Sequence, residues 1–375
     1  MSILPALVLC IIHVSSMKVE KSYRDRRHLQ QFVIDKNTGE IYVGGQNALI
    51  RLSPELNSIQ LVENGPRLDS PLCPPPQIPC NLTKNSINSF TKGLVIDYER
   101  ETIIVCSNIY QGSCQIRLMK DISFVKKEIY KPIVGHIPES SDVLLIAPGI
   151  NKKVLYVGSK YNNINQREEM KVYRDMVPHL SSRDLENLEF SFRDQNGGTK
   201  IFLLENLRAD FQVNFLFGFN HGNYDYFITT QAKSVDDNTV QTKIIRICHK
   251  DKYFRSYVEI PLLCYKDNNK PYVFAKGAYF EEASAKLFVI YQQREDEGVS
   301  SALCRYSLAD IIMMFDETVE QCQDGLGFIG PPHMHIPTPC PKSVSLIKIT
   351  SLTGSHNLLG VLTWVGRILI FLPEW

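Results

Sequence analysis

One spacing recurs along this chain and constrains its fold more than any single motif. Ile34 is followed by Ile41 and Val43, Ile96 by Ile103 and Val105, Phe219 by Tyr226 and Ile228, and Phe280 by Leu287 and Val289. Each time an apolar residue is answered seven and nine positions later, across a polar turn. The turns are Lys36-Asn37-Thr38-Gly39, Tyr98-Glu99-Arg100-Glu101, Asn220-His221-Gly222-Asn223 and Glu281-Glu282-Ala283-Ser284. Short runs rich in Ile, Val, Tyr and Phe, bounded by such turns, read as β-hairpins. Val154-Leu155-Tyr156-Val157-Gly158 is a fifth, looser copy, with Pro148-Gly149 near its turn. A third strand usually follows, at residues 48–52, 114–118, 243–248 and 302–307. Copies begin roughly 50 to 75 residues apart, longer than the compact propeller repeats. A small antiparallel sheet has two faces to cover, and a radial array covers them with neighbouring sheets. The expected fold is all-β, a β-propeller, with a two-sheet sandwich as the alternative. Helical periodicity is confined to Arg305–Phe315 and, more weakly, to Arg183–Leu188.

Charge and motifs narrow the function. Lysine and arginine number 41 against 40 aspartates and glutamates, a net charge of +1. No basic excess draws the chain to nucleic acid or anionic lipid. Gly325-Leu326-Gly327-Phe328-Ile329-Gly330 matches a dinucleotide-binding pattern. That pattern needs a helix opening at its end. Pro331-Pro332 denies such a helix its early hydrogen bonds, so the segment reads as a loop. His333-Met334-His335 offers two imidazoles with no nearby carboxylate or reduced thiol, a poor metal set. Asp35 and Asp97 recur at turn entries, where a carboxylate caps turn amides. No catalytic, phosphate-binding or calcium-binding motif is present, so neither cofactor nor small-molecule substrate is implied.

The N-terminus points to export. Ile3 to Val14 is an apolar run of signal-peptide length, and Val14-Ser15-Ser16 supplies small residues for cleavage. Residues 1–16 therefore read as a signal peptide with Met17 as the mature start; the alternative is a buried first strand. In an oxidising compartment cysteines pair, and Asn81-Leu82-Thr83 becomes a glycosylation site. Loss of Cys10 with the signal leaves nine of the ten cysteines, an odd number.

Several stretches, in order, resemble the N-terminal part of the sema domain of plexins, the cell-surface receptors for semaphorins. They are FVIDKNTGEIYVGGQNALIRLSPEL at 32–56, NGP at 64–66, LVIDYERETIIVCSNIYQGSCQIRL at 94–118, VPHLSSRDL at 177–185, FLFGFNHGNYDYFITTQ at 215–231 and IIRICHKDKYFRSYVEIPLLC at 244–264. The Tyr-Gln-Gly-x-Cys turn and the Ser-Tyr-Val-Glu-x-Pro segment mark the likeness as one to plexins; semaphorins share the fold but match less well. The resemblance implies a seven-bladed propeller, of which about five blades fall within a domain spanning 17–350. It implies pairing of Cys73 with Cys80, Cys106 with Cys114, Cys264 with Cys304, and Cys322 with Cys340. The ring closed by Cys106 and Cys114 is worth on the order of 2.5 kcal/mol in the chain-entropy account. The partner implied for Cys248 lies past the matching region, so Cys248 is expected to be unpaired.

Residues 351–375 diverge from the plexin pattern and hold both tryptophans, Trp364 and Trp375. They read as foreign to the domain: a splice-retained segment, a truncated isoform or a gene-model error. Leu358 to Leu372 is too short, and with Arg367 too charged, to span a membrane. The loop with Arg167, Lys171, Arg174 and Arg183 carries Glu168, Glu169 and Asp175 among its bases, a solvated mixed-charge stretch by itself. In plexins the edge of the third and fourth blades is where semaphorin docks, and this maps Arg174, Asp175, Arg193 and Asn196 near the contact. The expected function is semaphorin binding by a plexin-type receptor ectodomain, with no chemistry of its own, with another plexin or a co-receptor as further partner. The alternatives are a secreted decoy, a non-functional fragment, a propeller enzyme needing acids at the central channel, and a structural secreted protein. An open five-blade ring with a free Cys248 is expected to secrete poorly and to aggregate through disulfides.

Overall fold

The recurring spacing is a hairpin register. Across each of the four turns the residue faces the one seven positions on: Ile34 pairs with Ile41, Ile96 with Ile103, Phe219 with Tyr226 and Phe280 with Leu287. The looser fifth copy obeys the same rule, since Ala147 pairs with Val154. The structure, a computed structural model, describes residues 20–138, 140–161, 177–208, 210–266, 270–295, 298–324 and 334–335. Outside them lie residues 1–16, Arg167, Lys171, Arg174, Asp175, the glycine-rich 325–330, His333, Cys340 and 351–375.

Asp35 shows why the register holds. Its amide donates to the Glu40 carbonyl and its carbonyl accepts from the Gly39 amide, both at 2.8 Å. Its carboxylate accepts from the Asn37 amide at 3.0 Å and the Thr38 hydroxyl at 2.7 Å. Asp97 accepts from the amides of Glu99 and Arg100 at 3.2 and 3.4 Å. These acids are turn caps.

The hairpins extend into five sheets arranged as propeller blades. Blade one holds β1 (Leu29–Ile34), β2 (Ile41–Gly45), β3 (Ala48–Leu52) and β4 (Ser58–Glu63) in that order. A short pair, β5 (Arg67–Asp69) and β6 (Asn85–Ile87), leads on. Blade two is β7 (Thr91–Asp97), β8 (Thr102–Ser107), β9 (Cys114–Leu118) and β10 (Val125–Ile129). Blade three begins with β11 (Asp142–Pro148), β12 (Lys153–Ser159) and β13 (Leu180–Arg183). A small hairpin, β14 (Arg193–Asp194) and β15 (Gly197–Gly198), precedes its fourth strand, β16 (Lys200–Leu203). Blade four is β17 (Asn214–His221), β18 (Tyr224–Ser234), β19 (Asp237–Cys248) and β20 (Val258–Pro261). After the pair β21 (Cys264–Lys266) and β22 (Lys270–Tyr272), blade five has β23 (Ala275–Glu281), β24 (Lys286–Glu295) and β25 (Gly298–Ser307). Helix α1 (Leu308–Gln323) follows, and β26 (Met334–His335) returns to pair with β16.

Inner strands β1, β7, β11, β17 and β23 touch in succession around the axis. Alternation sends successive side chains to opposite neighbours. On β8, Ile103 and Val105 pack with Tyr42 and Leu49 of blade one, whereas Ile104 and Cys106 pack with Leu155 and Val157 of blade three. Blade four divides likewise: Phe227 and Ile245 meet blade three, and Tyr226 and Ile228 meet blade five. Each such side chain contributes about 1.5–3 kcal/mol on burial.

Glycines admit the neighbouring blade. A Cβ on Gly44 would stand 2.4 Å from Thr91 of blade two, one on Gly93 2.3 Å from Leu144 of blade three, and one on Gly158 2.4 Å from Phe215 of blade four. Polar stitches follow the same seams. The Lys92 ammonium sits among the carbonyls of Pro138 and Ser140 and 3.8 Å from the buried Asp142 carboxylate. The Thr242 hydroxyl donates to the Val273 carbonyl at 2.7 Å.

The outward faces of blades one and five lack this cover among the described residues. Phe32 is 68% exposed on one, and Tyr279 and Leu303 are 63% and 66% exposed on the other.

Two helical expectations are corrected. The 305–315 helix starts at Leu308 and runs to Gln323, because Arg305 to Ser307 complete β25 against Leu287, Phe288 and Lys286. It packs on β20 and β25, burying Leu308, Ile311 and Phe315. Residues 183–188 form no helix: Arg183 ends β13, and the Asp184 carboxylate accepts from the Glu186 and Asn187 amides, making a turn. The third strands of blades four and five also begin earlier than expected, at Asp237 and Gly298.

Cys106 and Cys114 lie directly opposite on β8 and β9, with Cα atoms 4.0 Å apart, and are joined. The turn between them is left-handed at Tyr110 (φ 54°) and Gln111 (φ 67°), a conformation costing on the order of 1–3 kcal/mol at each non-glycine residue. Its anchors offset that cost. The Tyr110 amide donates to Asp69 at 2.7 Å, and the Gln111 side chain donates to the carbonyls of Pro71 and Cys73 at 2.8 and 2.7 Å. Cys73–Cys80 and Cys264–Cys304 are also bridged, and Cys322 is disulfide-bonded.

Candidate functional site

Of the four contact residues singled out in sequence, two are among the described residues, at the edge where blade three meets blade four. Arg193 and Asn196 both lie on the β14–β15 hairpin and are exposed. A tight tip forms because the Asn196 amide donates to the Asp194 carboxylate at 2.7 Å and Gly197 takes a φ of +134°. Asp194 then reaches blade four. Its carboxylate accepts from the Tyr253 hydroxyl at 2.6 Å, across 59 residues of sequence. That bond holds the Asp194 carboxyl below its ordinary range and raises the Tyr253 phenol. The Asn196 side chain bonds the same phenol. The Phe192 and Tyr253 rings meet edge to face at 5.6 Å.

The blade-four side of this latch is the 249–257 loop, and its sequence dictates its shape. Asp251 caps it, accepting from the Tyr253 amide at 3.0 Å and from the Ser256 amide and hydroxyl at 2.6 Å. Phe254 is buried with a positive φ of 54° and stacks on Tyr156 of blade three at 6.1 Å. The buried ring pins the turn, so Lys252, Tyr253 and Arg255 are presented outward from a fixed base. Below it, the Glu259 carboxylate accepts from Lys243 at 2.6 Å, Tyr257 at 2.9 Å and Gln231 at 3.0 Å. The Ser-Tyr-Val-Glu segment of the sequence is therefore the loop's internal scaffold.

The face so presented is cationic and aromatic. Lys252 sits over the Phe192 ring at 5.3 Å, Arg255 over Tyr253 at 4.9 Å, and Lys200 over Phe190 at 4.9 Å. Burial, and then the like charges of Arg193 and Arg183, push the Lys200 ammonium below its ordinary value. None of Arg193, Lys200, Lys252 and Arg255 has an ion-pair partner among the described residues; Asp194 is the nearby carboxylate, and Tyr253 occupies it. Exposed cations over aromatic faces, held on a rigid base, suit recognition of a complementary protein surface.

Sequence reasoning missed Tyr253, Lys252 and Arg255. Their motif was visible, but nothing in it told that Asp194 would be their neighbour. Arg174 and Asp175 lie outside the described residues. Asn81 is exposed in the loop just past the Cys73–Cys80 bridge. Cys248 is a free, half-buried thiol whose pKa is raised by burial. Among the described residues, no helix is long and apolar enough to cross a membrane.

Fold and blade order place the chain in the class built on the sema-type β-propeller. Drosophila Semaphorin 1a, extracellular domains 1–2, shares that fold with a TM-score of 0.50 and 14% identity over 77% of this chain and 55% of that chain. Within the class the chain is a homologue of plexins, over the N-terminal part of their sema region. It is 28% identical to Plexin-A4 of Mus musculus across 91% of its length and 20% of the relative's. It is 26% identical to Plexin A3 of Danio rerio over 81% of its length and 18% of that relative's. The structure of the Plexin A4 full extracellular region matches with a TM-score of 0.70 and 26% identity, covering 85% of this chain and 38% of that chain. No family model matches. The chain spans about a fifth of the length of the curated relatives it matches.

Proposed function

We propose that this chain is an extracellular recognition module that binds a semaphorin through the edge of blades three and four. The observation that carries the reading is the latched face at Asp194–Tyr253, which seats Lys252 over Phe192 and Arg255 over Tyr253 beside the exposed Arg193, none of the three in an ion pair with a carboxylate among the described residues. Kinship with plexins names the partner class, since plexins are receptors for semaphorins. The bridged cysteines support passage through an oxidising compartment, and exposed Asn81 supports glycosylation there. Recognition, not chemistry, is the module's task; signalling belongs to parts of a receptor beyond these blades.

The test is binding of the secreted protein to a panel of semaphorin ectodomains by surface plasmon resonance. Charge reversal at Arg193 and at Arg255, both exposed, is expected to weaken a binder at least tenfold each while thermal melts stay unchanged. A semaphorin bound equally well by both variants overturns the assignment of this edge. No binding to any semaphorin overturns the partner class.

A further inference from the structure

The segment leading into blade one carries a motif that semaphorin recognition does not use. Arg24-Asp25-Arg26-Arg27 is followed by His28, and nowhere else does the chain place two arginines side by side. Arginine at the first, second and fourth positions before a bond is the pattern read by subtilisin-like convertases of the secretory pathway. These serine endoproteases line their pockets with carboxylates, which a guanidinium meets with paired hydrogen bonds. The lysine pairs Lys126-Lys127 and Lys152-Lys153 have Phe124 and Ile150 in place of the outer arginine. Lys126 and Lys127 are also held inside β10, and Lys153 inside β12. By contrast, residues 20–28 belong to no strand or helix, and Arg24, Arg26 and His28 are exposed. Among the described residues neither Arg24 nor Arg26 is held in an ion pair. Arg27 is the held member. Its amide donates to the Asp25 carboxylate at 2.9 Å, and its guanidinium reaches Asp25 and Glu63, each at 3.3 Å. Ion pairs so close to solvent hold weakly. Cleavage of a folded chain proceeds through such local openings.

The same segment covers part of blade one. Tyr23 packs against the buried Val43, Ala48, Ile50 and Leu52, and its hydroxyl donates to Asp25 at 3.1 Å. The exposed Phe32 lies in one cross-strand row with Val43, Ile50 and Leu61, so Tyr23 sits on the face that Phe32 borders. We propose that the Arg27–His28 bond is a maturation site, hydrolysed by a secretory convertase so that the mature chain begins at His28. The cut releases the segment carrying Tyr23 from the outward face of blade one. Water adds across the C–N bond, leaving a carboxylate on Arg27 and an ammonium on His28. The blade survives the cut, since the His28 carbonyl still accepts from the Gln46 amide at 2.8 Å. Leu29, the first residue of β1, is 44% exposed and set off by a bulge before Gln31, so the strand end frays to enter an extended protease cleft. This inference rests on the same export through the secretory pathway as the proposed function.

The experiment expresses the full chain in a mammalian secretory line, with and without a peptidyl chloromethylketone inhibitor of convertases, and reads the N-terminus by mass spectrometry. Purified uncut protein is digested separately with a furin-type convertase. The expected chain begins at His28 without the inhibitor and at Met17 with it, and the purified protein is cut at the same bond. Arg24→Ala and Arg27→Ala should each slow digestion by about tenfold or more, whereas Arg26→Lys, which keeps the cation, should slow it far less. Glu63→Gln, outside the recognised sequence, should speed digestion by up to about fivefold by freeing Arg27. The cut should also raise the fluorescence of anilinonaphthalene sulfonate, as the face under Tyr23 opens. An exported chain that keeps residues 17–27 without inhibitor, a purified protein left uncut, or cutting that survives Arg27→Ala overturns the site. Cutting without a rise in dye fluorescence overturns the release of the face. A chain that retains residues 1–16 refutes export instead, and the digestion of purified protein then decides the bond.

Discussion

Glu259 gives the sharpest test of how blade four is held. Its carboxylate is the common acceptor for Lys243, Tyr257 and Gln231, and the Lys243 and Glu259 side chains are only 8% and 5% exposed. Replacing Glu259 with leucine strands the ammonium in a site with no other anion in contact among the described residues. Breaking a buried pair from one side costs about 3–5 kcal/mol. At about 2–4 °C per kcal/mol for a large domain, melting should fall by roughly 6–20 °C. Pairing Glu259→Leu with Lys243→Met removes the stranded charge and should recover the part of the loss that comes from it, since a buried ion pair and an apolar pair of similar volume are close in stability. What stays lost is the acceptor for the Tyr257 hydroxyl and the Gln231 amide, about 1–3 kcal/mol per group. Thermal melts of the four proteins, wild type through double variant, read the cycle directly. A single variant within 1 kcal/mol of wild type, or a double variant no more stable than the single, refutes the claim that Lys243 depends on this carboxylate.

Burial holds the His136 imidazole down, from 6.5 to about 4. The unfolded chain therefore takes up a proton near pH 6.5 that the folded protein refuses until about pH 4. Stability should fall as pH drops through that window, by about 3 kcal/mol in all, and His136→Phe should flatten the dependence in denaturant titrations. Gly158→Ala drives a methyl to 2.4 Å from the Phe215 ring, so a loss of about 1–3 kcal/mol is expected, partly recovered by Phe215→Leu. The apolar outward face of blade five should cause self-association of the purified chain. Leu303→Lys with Tyr279→Ser should shift its light-scattering mass toward the monomer, and an unchanged mass would show that the face is inert.

The hairpins were legible because their register depends on short-range facts. A cap such as Asp35 and a partner seven residues on leave their mark within one turn of sequence. The same logic was available for Asp184, whose Asp-Leu-Glu-Asn run is another capped turn. Its apolar spacing imitated a helix, and only the pairing of β13 decides against one. The strand at 305–307 was hidden for a similar reason, as Arg305 continues the helical pattern but is claimed by Phe288 across the sheet. The proposed docking edge was half legible. Arg193 and Asn196 came from resemblance, but their meeting with Tyr253 depends on two loops placed side by side by whole blades. No local pattern records such a contact. Cysteine connectivity was likewise open to spacing alone, and family likeness supplied it.

The glycines at the blade seams have one more consequence. Thr91 enters the recess at Gly44, Leu144 the recess at Gly93, and Phe215 the recess at Gly158. Blades one to three each carry a socket toward the successor, blades two to four each carry a plug toward the predecessor, and the plugs differ in size. The stack is thus polar and individually keyed. Moving the blade-four hairpin to follow blade one would set a phenylalanine against a socket cut for threonine. The order of blades around the axis is written in these fits as well as in the covalent chain. Blades produced as separate pieces should reassemble only with their own neighbours.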